Sequence, residues 1–387
     1  MIYNEIVQVI GITGILQPDH AWDGSPQVEE SQGTPQPFSK GGTSIIFEIG
    51  GTSMGIVAAA QVASVYFDAM ATAHRVAERI AEAAKANAWL VVFPESCIPG
   101  YPDWIWHVPP RSSSPSAKPF STFERRFFEQ SIIIPGPETE IIAAACRAHH
   151  IMAAVGVTER PARSGTLYNT LLYLGPDGTI LGRHRKMVPT FAEKLVWGVG
   201  DGTTLRTIAT PHGVVGGLIC WENMMPLART TLYAQGEQIH IAPTQDSGDR
   251  WHASVRHLAT EGRMWVISVG VLMRETDLTQ ELRDLGVYQS DEMISPGDSV
   301  IVDPLGNIVA GPVHGIETII YADAAYTDAL IARRGFDAVG HYGRGDLFSL
   351  TLNGVTIPLE LNELASLASM SNHIWRVREE SMTENSS

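Results

Sequence analysis

From Gly55 onward, short apolar runs alternate with longer segments in which apolar residues recur at every third or fourth position. The short runs are typical of buried strands, and the longer spacing is typical of helices with one buried face. The first unit comprises a strand at Gly55–Val62, a helix at Ala69–Ala88 capped by Asp68, and a strand at Trp89–Phe93. This order predicts a crossover connection between two strands that are parallel or close to parallel.

The same alternation continues to about residue 334. We predict further helices at Phe120–Gln130, Glu138–His149, Pro226–Gln235, Trp251–Gly262 and Ala325–Arg334. We predict further strands at Ile151–Thr158, Leu167–Leu174, Thr179–Arg185, Val214–Ile219, Gln238–Ala242, Trp265–Val271, Asp298–Val302, Asn307–Ala310 and Ile316–Ala322, the last as an inner strand. Turn residues at 176–178 and 304–306 predict two hairpins among these strands. The pattern therefore indicates an α/β fold.

The two ends of the chain differ in composition from the part between them. Asp19–Gly42 is rich in Pro, Gly, Ser and Gln and poor in large apolar residues, a composition typical of flexible segments. We therefore predict a flexible N-terminal extension over residues 1–52 and one large domain over residues 53–350, irregular in its last part from Gly335. Residues 351–387 are predicted to form a tail that contributes to an interface and is then disordered.

Composition and charge exclude several classes of partner. The 387 residues are 44% hydrophobic, which is enough for a large core. A formal net charge of -15 repels phosphate backbones and anionic membrane surfaces, so neither nucleic acid nor a membrane is an expected partner. Three cysteines without a CxxC pair predict neither a disulfide framework nor a cysteine zinc site, and they fit a reducing cytoplasm. No phosphate-binding glycine loop is present either, so we expect no metal and no cofactor.

One of the three cysteines stands where a reactive thiol is expected. Cys220 follows the apolar run Val214–Ile219, which contains two glycines and predicts a buried strand with close neighbours. Asn223 is positioned to cap a helix that begins near Met224, so the thiol would lie between a strand end and a helix amino terminus. A helix dipole and a nearby ammonium would both favour a thiolate at this place. The alternative is a buried structural cysteine.

Two further reactive groups occupy equivalent places at strand ends. Glu95 follows the strand Trp89–Phe93, and Lys186 follows the strand Thr179–Arg185. Only a folded sheet can bring residues this far apart in sequence together with Cys220. Cysteine would supply a nucleophile, the carboxylate a proton acceptor and the ammonium a charge for a developing anion. As an alternative, Glu95 and Lys186 form an ordinary ion pair.

Three stretches around these residues resemble the motifs of the carbon-nitrogen hydrolase, or nitrilase, superfamily. They are Phe93–Pro102 for the glutamate, Arg185–Thr190 for the lysine and Cys220–Leu227 for the cysteine. Trp221 and Asn223 in the last of these stretches resemble the cysteine motif of the nitrilase branch itself. The segments Trp197–Gly202 and His341–Asp346 also resemble sequences of that branch. The resemblance implies a four-layer α-β-β-α sandwich. It also implies a homo-oligomer, built from dimers that assemble into larger spirals.

The resemblance further implies a nitrilase that converts a small organic nitrile and water to a carboxylic acid and ammonia, without a cofactor. Glu95, Lys186 and Cys220 would be catalytic, and Glu193 matches an additional glutamate of the family. Aromatic residues near these motifs are candidates for substrate binding, although packing explains them equally well. These residues are Tyr101, Trp104, Trp197 and Trp221.

Two other functions stay open at this point. An amidase, or another enzyme that hydrolyses amides, would use the same scaffold and the same three groups. A non-catalytic assembly protein would depend on its helical faces and not on a cleft. Glu222 is expected to act through its charge at a helix amino terminus and not in catalysis, and Cys97 and Cys146 are expected to be packing residues.

Overall fold

The computed structural model describes residues 55–108, 110, 118–357 and 359. The helices in this part are α1 Ala69–Lys85, α2 Lys118–Gln130, α3 Pro137–His149, α4 Pro226–Tyr233, α5 Gly248–Gly262, α6 Gln280–Arg283 and α7 Tyr326–Arg333. The strands are β1 Ile56–Gln61, β2 Ala88–Val92, β3 Met152–Glu159, β4 Tyr168–Leu174, β5 Ile180–Arg185, β6 Ile208–Thr210, β7 Gly213–Gly217, β8 Ile239–Thr244, β9 Trp265–Gly270, β10 Leu272–Arg274, β11 Met293–Val302, β12 Ile308–His314, β13 Thr318–Asp323, β14 Leu350–Leu352 and β15 Val355–Ile357.

Most of the strands belong to two mixed sheets. The first sheet has the order β13-β1-β2-β3-β4-β5, and β1, β2 and β3 run parallel in it. The second has the order β10-β11-β9-β8-β7-β6, with β12 paired to β11, and β7, β8 and β9 run parallel. Parallel neighbours place their carboxyl ends at the same edge, so each sheet presents one edge at which side chains after several strands can meet.

The buried apolar clusters show how the layers are stacked. Val57 and Leu90 of the first sheet share a cluster with Ile241 and Ile267 of the second, so the two sheets pack face to face. The opposite face of the first sheet packs against α1 and α3, and the opposite face of the second packs against α5. The result is a four-layer α-β-β-α sandwich, as predicted.

Helix α1 illustrates how local sequence produces this packing. The Asp68 side chain accepts a hydrogen bond of 2.9 Å from the backbone N–H of Ala71, as expected for the residue that begins the helix. Such a cap contributes about 1 kcal/mol. The buried positions, which include Val76 and Ile80, recur at intervals of three or four residues and face the sheet.

The structure corrects two of the predicted elements. The strand predicted as the last inner one, β13, pairs only with β1 among the described strands and therefore forms an edge of the first sheet as described. The region from Gly335 to Asn353 was predicted to be irregular, but it contains β14, which pairs with β15 in a small hairpin. This hairpin contributes Leu350 and Ile357 to the cluster around α5, because a short amphipathic strand can bury its apolar side chains on a neighbouring layer.

The predictions for the two ends of the chain concern mainly residues that the structure does not describe. The extension over residues 1–52 lies outside the described residues, as does all of the tail except the end of the hairpin and residue 359. Among the described helices, none is both long enough and apolar enough to cross a membrane.

Candidate active site

Three strand ends bring Glu95, Lys186 and Cys220 into one buried site. Glu95 follows β2 and Lys186 follows β5, both in the first sheet, whereas Cys220 follows β7 in the second. All three are buried: 0% of Glu95, 1% of Lys186 and 4% of Cys220 is exposed. The site therefore lies where the two sheets face each other, and charged groups interact strongly there because water does not screen them.

The Lys186 ammonium lies between two carboxylates. Its Nζ donates hydrogen bonds of 2.7 Å to Glu95 Oε1 and of 2.7 Å to Glu193 Oε2. Glu193 belongs to a short 3₁₀ helix, Phe191–Leu195, and its Oε2 also accepts a hydrogen bond from the backbone N–H of Thr190. Glu193 thus connects the Lys186 ammonium to the backbone of this helix.

Residues at the end of β8 link Glu95 to Cys220. The hydroxyl of Thr244 donates to Cys220 Sγ at 3.4 Å, and the backbone N–H of Gln245 donates to Glu95 Oε2 at 2.7 Å. Asn169 Nδ2 donates to Glu95 Oε1 at 2.8 Å. None of these three residues was predicted from the sequence, although Thr244 and Gln245 follow a predicted strand and could have been found by the same rule as Glu95.

Burial sets the protonation of the site. Burial and the neighbouring Glu95 raise the pKa of the Cys220 thiol to about 12, although Lys186 acts in the opposite direction. Burial also raises the pKa of Glu95, again against the effect of Lys186. For Lys186 itself, burial lowers the pKa, but the negative charges of Glu95, Cys220 and Glu193 outweigh it and leave the pKa raised. Burial therefore opposes the thiolate that the sequence favours at Cys220.

The backbone around Cys220 also differs from the prediction. Cys220 has a φ of 53°, in the left-handed region, and it begins a 3₁₀ turn that extends to Met224. For a residue other than glycine this conformation costs about 1–2 kcal/mol. Helix α4 begins only at Pro226 and has Met225 at its N-cap position, so the prediction that Asn223 caps this helix is wrong. The Asn223 side chain instead donates to the carbonyls of Leu218 and Cys220.

Glu222 joins this turn to the segment that carries Lys186. Its carboxylate accepts hydrogen bonds from the backbone N–H of Ile219 at 2.9 Å, from that of Met187 at 2.6 Å and from His184 Nε2 at 3.0 Å. Burial acts to raise the pKa of Glu222, but the His184 ring and the two backbone donors outweigh it and leave the pKa lowered. The carboxylate does serve the first N–H of a helical turn, as predicted, and in addition it ties the turn at Cys220 to the segment that carries Lys186.

The four predicted substrate-binding aromatics have different surroundings. Tyr101 is buried and its hydroxyl donates to Glu193 Oε1 at 2.9 Å, and the rings of Tyr101 and Trp197 meet edge to face. Trp104 is fully buried in an aromatic cluster with Phe120, Phe123 and Phe127. Trp221 is 38% exposed, and its Nε1 donates to Asp246. Trp221 therefore has the largest exposed fraction of the four, and it is next to Cys220 in sequence.

The remaining cysteines lie in packed surroundings. Cys97 and Cys146 both belong to the apolar cluster between the first sheet and its helices. Burial raises the pKa of each thiol to about 12. Cys97 is only two positions from Glu95 in sequence, yet its side chain packs on the opposite face of the sheet from the site. Both residues have the surroundings of packing residues, as expected.

Comparison with known proteins agrees with this architecture. The carbon-nitrogen hydrolase family matches residues 56–329. An aliphatic nitrilase of Sinorhizobium fredii (strain HH103) is 41% identical over 299 residues, which cover 76% of this chain and 94% of that protein. A bifunctional nitrilase/nitrile hydratase of Lupinus angustifolius is 38% identical over 297 residues, which cover 76% of this chain and 84% of that protein.

Solved structures with lower sequence identity share the fold. Nit3 of Saccharomyces cerevisiae, a member of branch 10 of the nitrilase superfamily, has a TM-score of 0.58 at 22% identity and covers 74% of this chain and 96% of its own. A mutant amidase of Nesterenkonia sp. AN1 in complex with butyramide has a TM-score of 0.54 at 16% identity, over 73% of this chain and 95% of its own. The family match, the identity to nitrilases and the four-layer fold agree: the chain belongs to the carbon-nitrogen hydrolase family and, within it, to the nitrilase branch.

Proposed function

We propose that this protein is a nitrilase that hydrolyses an organic nitrile to the carboxylic acid and ammonia. Cys220 is the nucleophile, Glu95 the general base and acid, and Lys186 the electrostatic partner, with Glu193 as its support. The observation that carries the proposal is the ammonium of Lys186 held between Glu95 and Glu193, 2.7 Å from each, in the buried site that also contains Cys220. The similarity to an aliphatic nitrilase supports the choice of substrate class.

The first half of the reaction forms a covalent intermediate. Because the thiol is protonated at rest, Glu95 takes its proton as the sulfur attacks the nitrile carbon. The carboxyl group then delivers this proton to the nitrile nitrogen, and a thioimidate results. No free thiolate needs to accumulate, so the raised pKa of Cys220 is compatible with catalysis.

Two water molecules complete the reaction. The first adds to the thioimidate, with its proton going to nitrogen through Glu95, and gives a tetrahedral centre. Ammonia leaves from this centre and a thioester remains. The second water, also activated by Glu95, hydrolyses the thioester to the acid and returns the proton to sulfur. Lys186 stabilises the negative charge that develops on these intermediates, as a preorganised donor does.

The tetrahedral centre has a second possible outcome. If the Cys220 sulfur leaves before ammonia, the product is the amide and the enzyme acts as a nitrile hydratase. The related protein from Lupinus angustifolius carries both names. An amidase on the same scaffold would instead begin from the amide. Measuring ammonia, acid and amide together distinguishes all three activities.

The experiment is incubation of the full chain with a panel of aliphatic, aromatic and arylaliphatic nitriles, with cyanide, and with the matching amides. We expect ammonia and acid from at least one nitrile. Cys220→Ala should abolish turnover, whereas Cys97→Ala and Cys146→Ala should retain most of it, because these two thiols pack away from the site. Turnover by Cys220→Ala within tenfold of the parent would rule out the covalent route, and hydrolysis of amides alone would favour an amidase.

We also propose that Tyr101, Trp104, Trp197 and Trp221 contact the substrate, and that the enzyme acts in the cytoplasm as a homo-oligomer of dimers. These proposals rest on the family resemblance and, for the location, on the cysteine content. Size-exclusion chromatography with light scattering should give a dimer or a larger species. A fully active monomer would contradict the oligomer.

A further inference from the structure

The side chains of Asn223, His240 and Glu237 form a hydrogen-bonded series that starts at the turn of Cys220 and has no part in the reaction proposed above. Asn223 Oδ1 lies 2.7 Å from His240 Nε2, and His240 Nδ1 lies 2.8 Å from Glu237 Oε1. The three residues are buried, with 1%, 0% and 0% of their surface exposed. At its other end, Asn223 Nδ2 donates to the carbonyls of Leu218 at 2.8 Å and of Cys220 at 2.9 Å.

The hydrogen bonds fix where the protons of this chain lie. The carbonyl oxygens of Leu218 and Cys220 can only accept, so the amide nitrogen of Asn223 must face them and its oxygen must face His240. That oxygen is also an acceptor, so His240 Nε2 carries a proton. One more proton lies between His240 Nδ1 and Glu237, and the buried pair is neutral overall in either placement of that proton. A neutral pair avoids the large cost of an isolated buried charge.

The surroundings of Glu237 are built around this arrangement. A Cβ added at Gly216 would lie 2.1 Å from Glu237 Oε1, so the strand before Cys220 has a glycine where the carboxyl group approaches. In the pairing of β7 with β8, His240 lies opposite the same glycine. The other groups near the carboxyl group are the buried guanidinium of Arg333, which donates to the Glu237 backbone carbonyl, and the phenols of Tyr173 and Tyr233. None of the described groups donates a hydrogen bond to Glu237 Oε2, so His240 is the specific partner of this side chain.

We propose that Glu237, His240 and Asn223 are positioning residues that hold the left-handed turn at Cys220. The left-handed conformation of Cys220 is unfavourable for a residue with a side chain. The Asn223 amide donates to the carbonyls of Leu218 and Cys220, where the turn begins. His240 orients that amide, and Glu237 orients His240. The chain thereby aims the thiol at the substrate position. The catalytic consequence rests on the proposed function, whereas the effect on the thiol itself does not.

A matched pair of substitutions at one position tests this role. In His240→Gln the new amide nitrogen takes the place of Nε2 and can donate to Asn223, but the partner of Glu237 is lost. In His240→Asn the new amide lies near Nδ1 and can bond to Glu237, but the link to Asn223 is lost. His240→Asn should therefore be the more stable but less reactive variant, and His240→Gln the less stable but more reactive one. If the role were purely structural, the more stable variant would also be the more reactive.

The measurements are the thermal midpoint, the rate of Cys220 alkylation by iodoacetamide at fixed pH, and kcat and KM for the best nitrile. We expect His240→Asn to lose at least tenfold in alkylation rate and in kcat with KM nearly unchanged. His240→Gln should stay within threefold of the parent, although its thermal midpoint is the lower of the two. Asn223→Leu should behave as His240→Asn does. Ser268 lies on β9, next to β8, and accepts a buried hydrogen bond from Trp251 of α5; Ser268→Ala removes this bond, is the control and should keep the parental rates.

Equal alkylation rates in the two His240 variants, or rates that follow the thermal midpoints, would overturn the proposal. If His240→Gln does not fold, the double variant Glu237→Gln/His240→Gln removes the unpaired carboxyl group and takes its place in the comparison. The alkylation rates also separate this inference from the proposed function. If the parent protein hydrolyses neither nitriles nor amides, the proposed function is refuted. The order of the alkylation rates would still decide whether Glu237, His240 and Asn223 position the thiol.

Discussion

Burial determines the chemistry of Glu95, Lys186 and Cys220 before any substrate binds. The Lys186 ammonium donates hydrogen bonds directly to the carboxyl groups of Glu95 and Glu193, on two sides of it in a buried site. Burial and Glu95 raise the pKa of the Cys220 thiol against the effect of Lys186. The consequence is a thiol that favours its protonated form in the free site.

Replacing Lys186 separates electrostatic catalysis from simple structural pairing. We expect Lys186→Met to lower kcat by about two orders of magnitude or more, the range seen when a preorganised donor is lost. Because Lys186 lowers the pKa of both Glu95 and Cys220, both pKa values should rise further in the variant. The pH profile of Cys220 alkylation should then shift to higher pH.

The control for this prediction is Lys194→Met, which removes an exposed lysine from the same 3₁₀ helix as Glu193. It should leave both the turnover and the alkylation profile unchanged. Parental turnover and an unshifted profile in Lys186→Met would make Lys186 a structural partner only.

Glu222 provides a prediction for stability against pH. Its pKa is lowered in the folded state, so its ionised form stabilises the fold above the ordinary pKa of a glutamate, about 4.3. This contribution is lost as the pH falls through the lowered pKa. Glu222→Gln should therefore reduce the free energy of unfolding by about 2 kcal/mol at pH 7, since a hydrogen bond to a charged group is stronger than one to a neutral amide. The difference from the parent should shrink as the pH falls below about 4.3.

Urea denaturation at pH 7 and at pH 4 or below measures this difference. Glu140→Gln is the control, because Glu140 makes only an exposed ion pair with Arg147. A difference between Glu222→Gln and the parent that does not change with pH would show that the charge of Glu222 has no role in stability.

At the scale of elements, the strand before the nucleophile depends on its glycines. A Cβ on Gly216 would meet the Glu237 carboxyl group, and one on Gly217 would lie 2.7 Å from the backbone oxygen of Ile241. Gly216→Ala should therefore lower the free energy of unfolding by about 1–3 kcal/mol, the usual cost of overpacking a core. Gly165→Ala, with no atom within 4 Å of the added Cβ, should change it by less than about 0.5 kcal/mol. Thermal or urea unfolding of both variants tests the contrast, and equal stability of the two would contradict it.

The elements themselves were predictable because their signals are local. Asp68 does cap α1, and the apolar run before Cys220 is a buried strand with close neighbours. The geometry of the turn after Cys220 was not predictable, because the partner of Asn223 is His240 on another strand. From sequence alone, Asn223 has the features of a helix cap, and only the packed sheet shows that its amide is used elsewhere.

At the scale of the whole molecule, the predicted site depended on one topological rule. Parallel strands of one sheet place their carboxyl ends together. This rule places Glu95 next to the end of β3, and it places Cys220 next to Thr244 at the end of β8. That the two sheets face each other at this place came from the resemblance to a known family. The single-residue pKa values were not predictable, because they depend on the burial that this packing creates.

The N-terminal extension gives a prediction at the same scale. Because Asp19–Gly42 has few large apolar residues, we expect it to contribute little buried surface. Removal of residues 1–50 should leave a folded protein with parental kcat and KM. Circular dichroism, thermal unfolding and nitrile turnover of the shortened chain test this expectation, and an insoluble or inactive product would show that the segment belongs to the fold or to an assembly contact.

The protonated thiols have a consequence for the lifetime of the enzyme in air. Peroxide oxidises thiolates much faster than thiols, so a raised pKa, which lowers the ionised fraction of a thiol at neutral pH, slows its oxidation. Burial raises the pKa of all three cysteines of the chain to about 12. A cysteine enzyme of this kind should keep its activity during storage without a reducing agent.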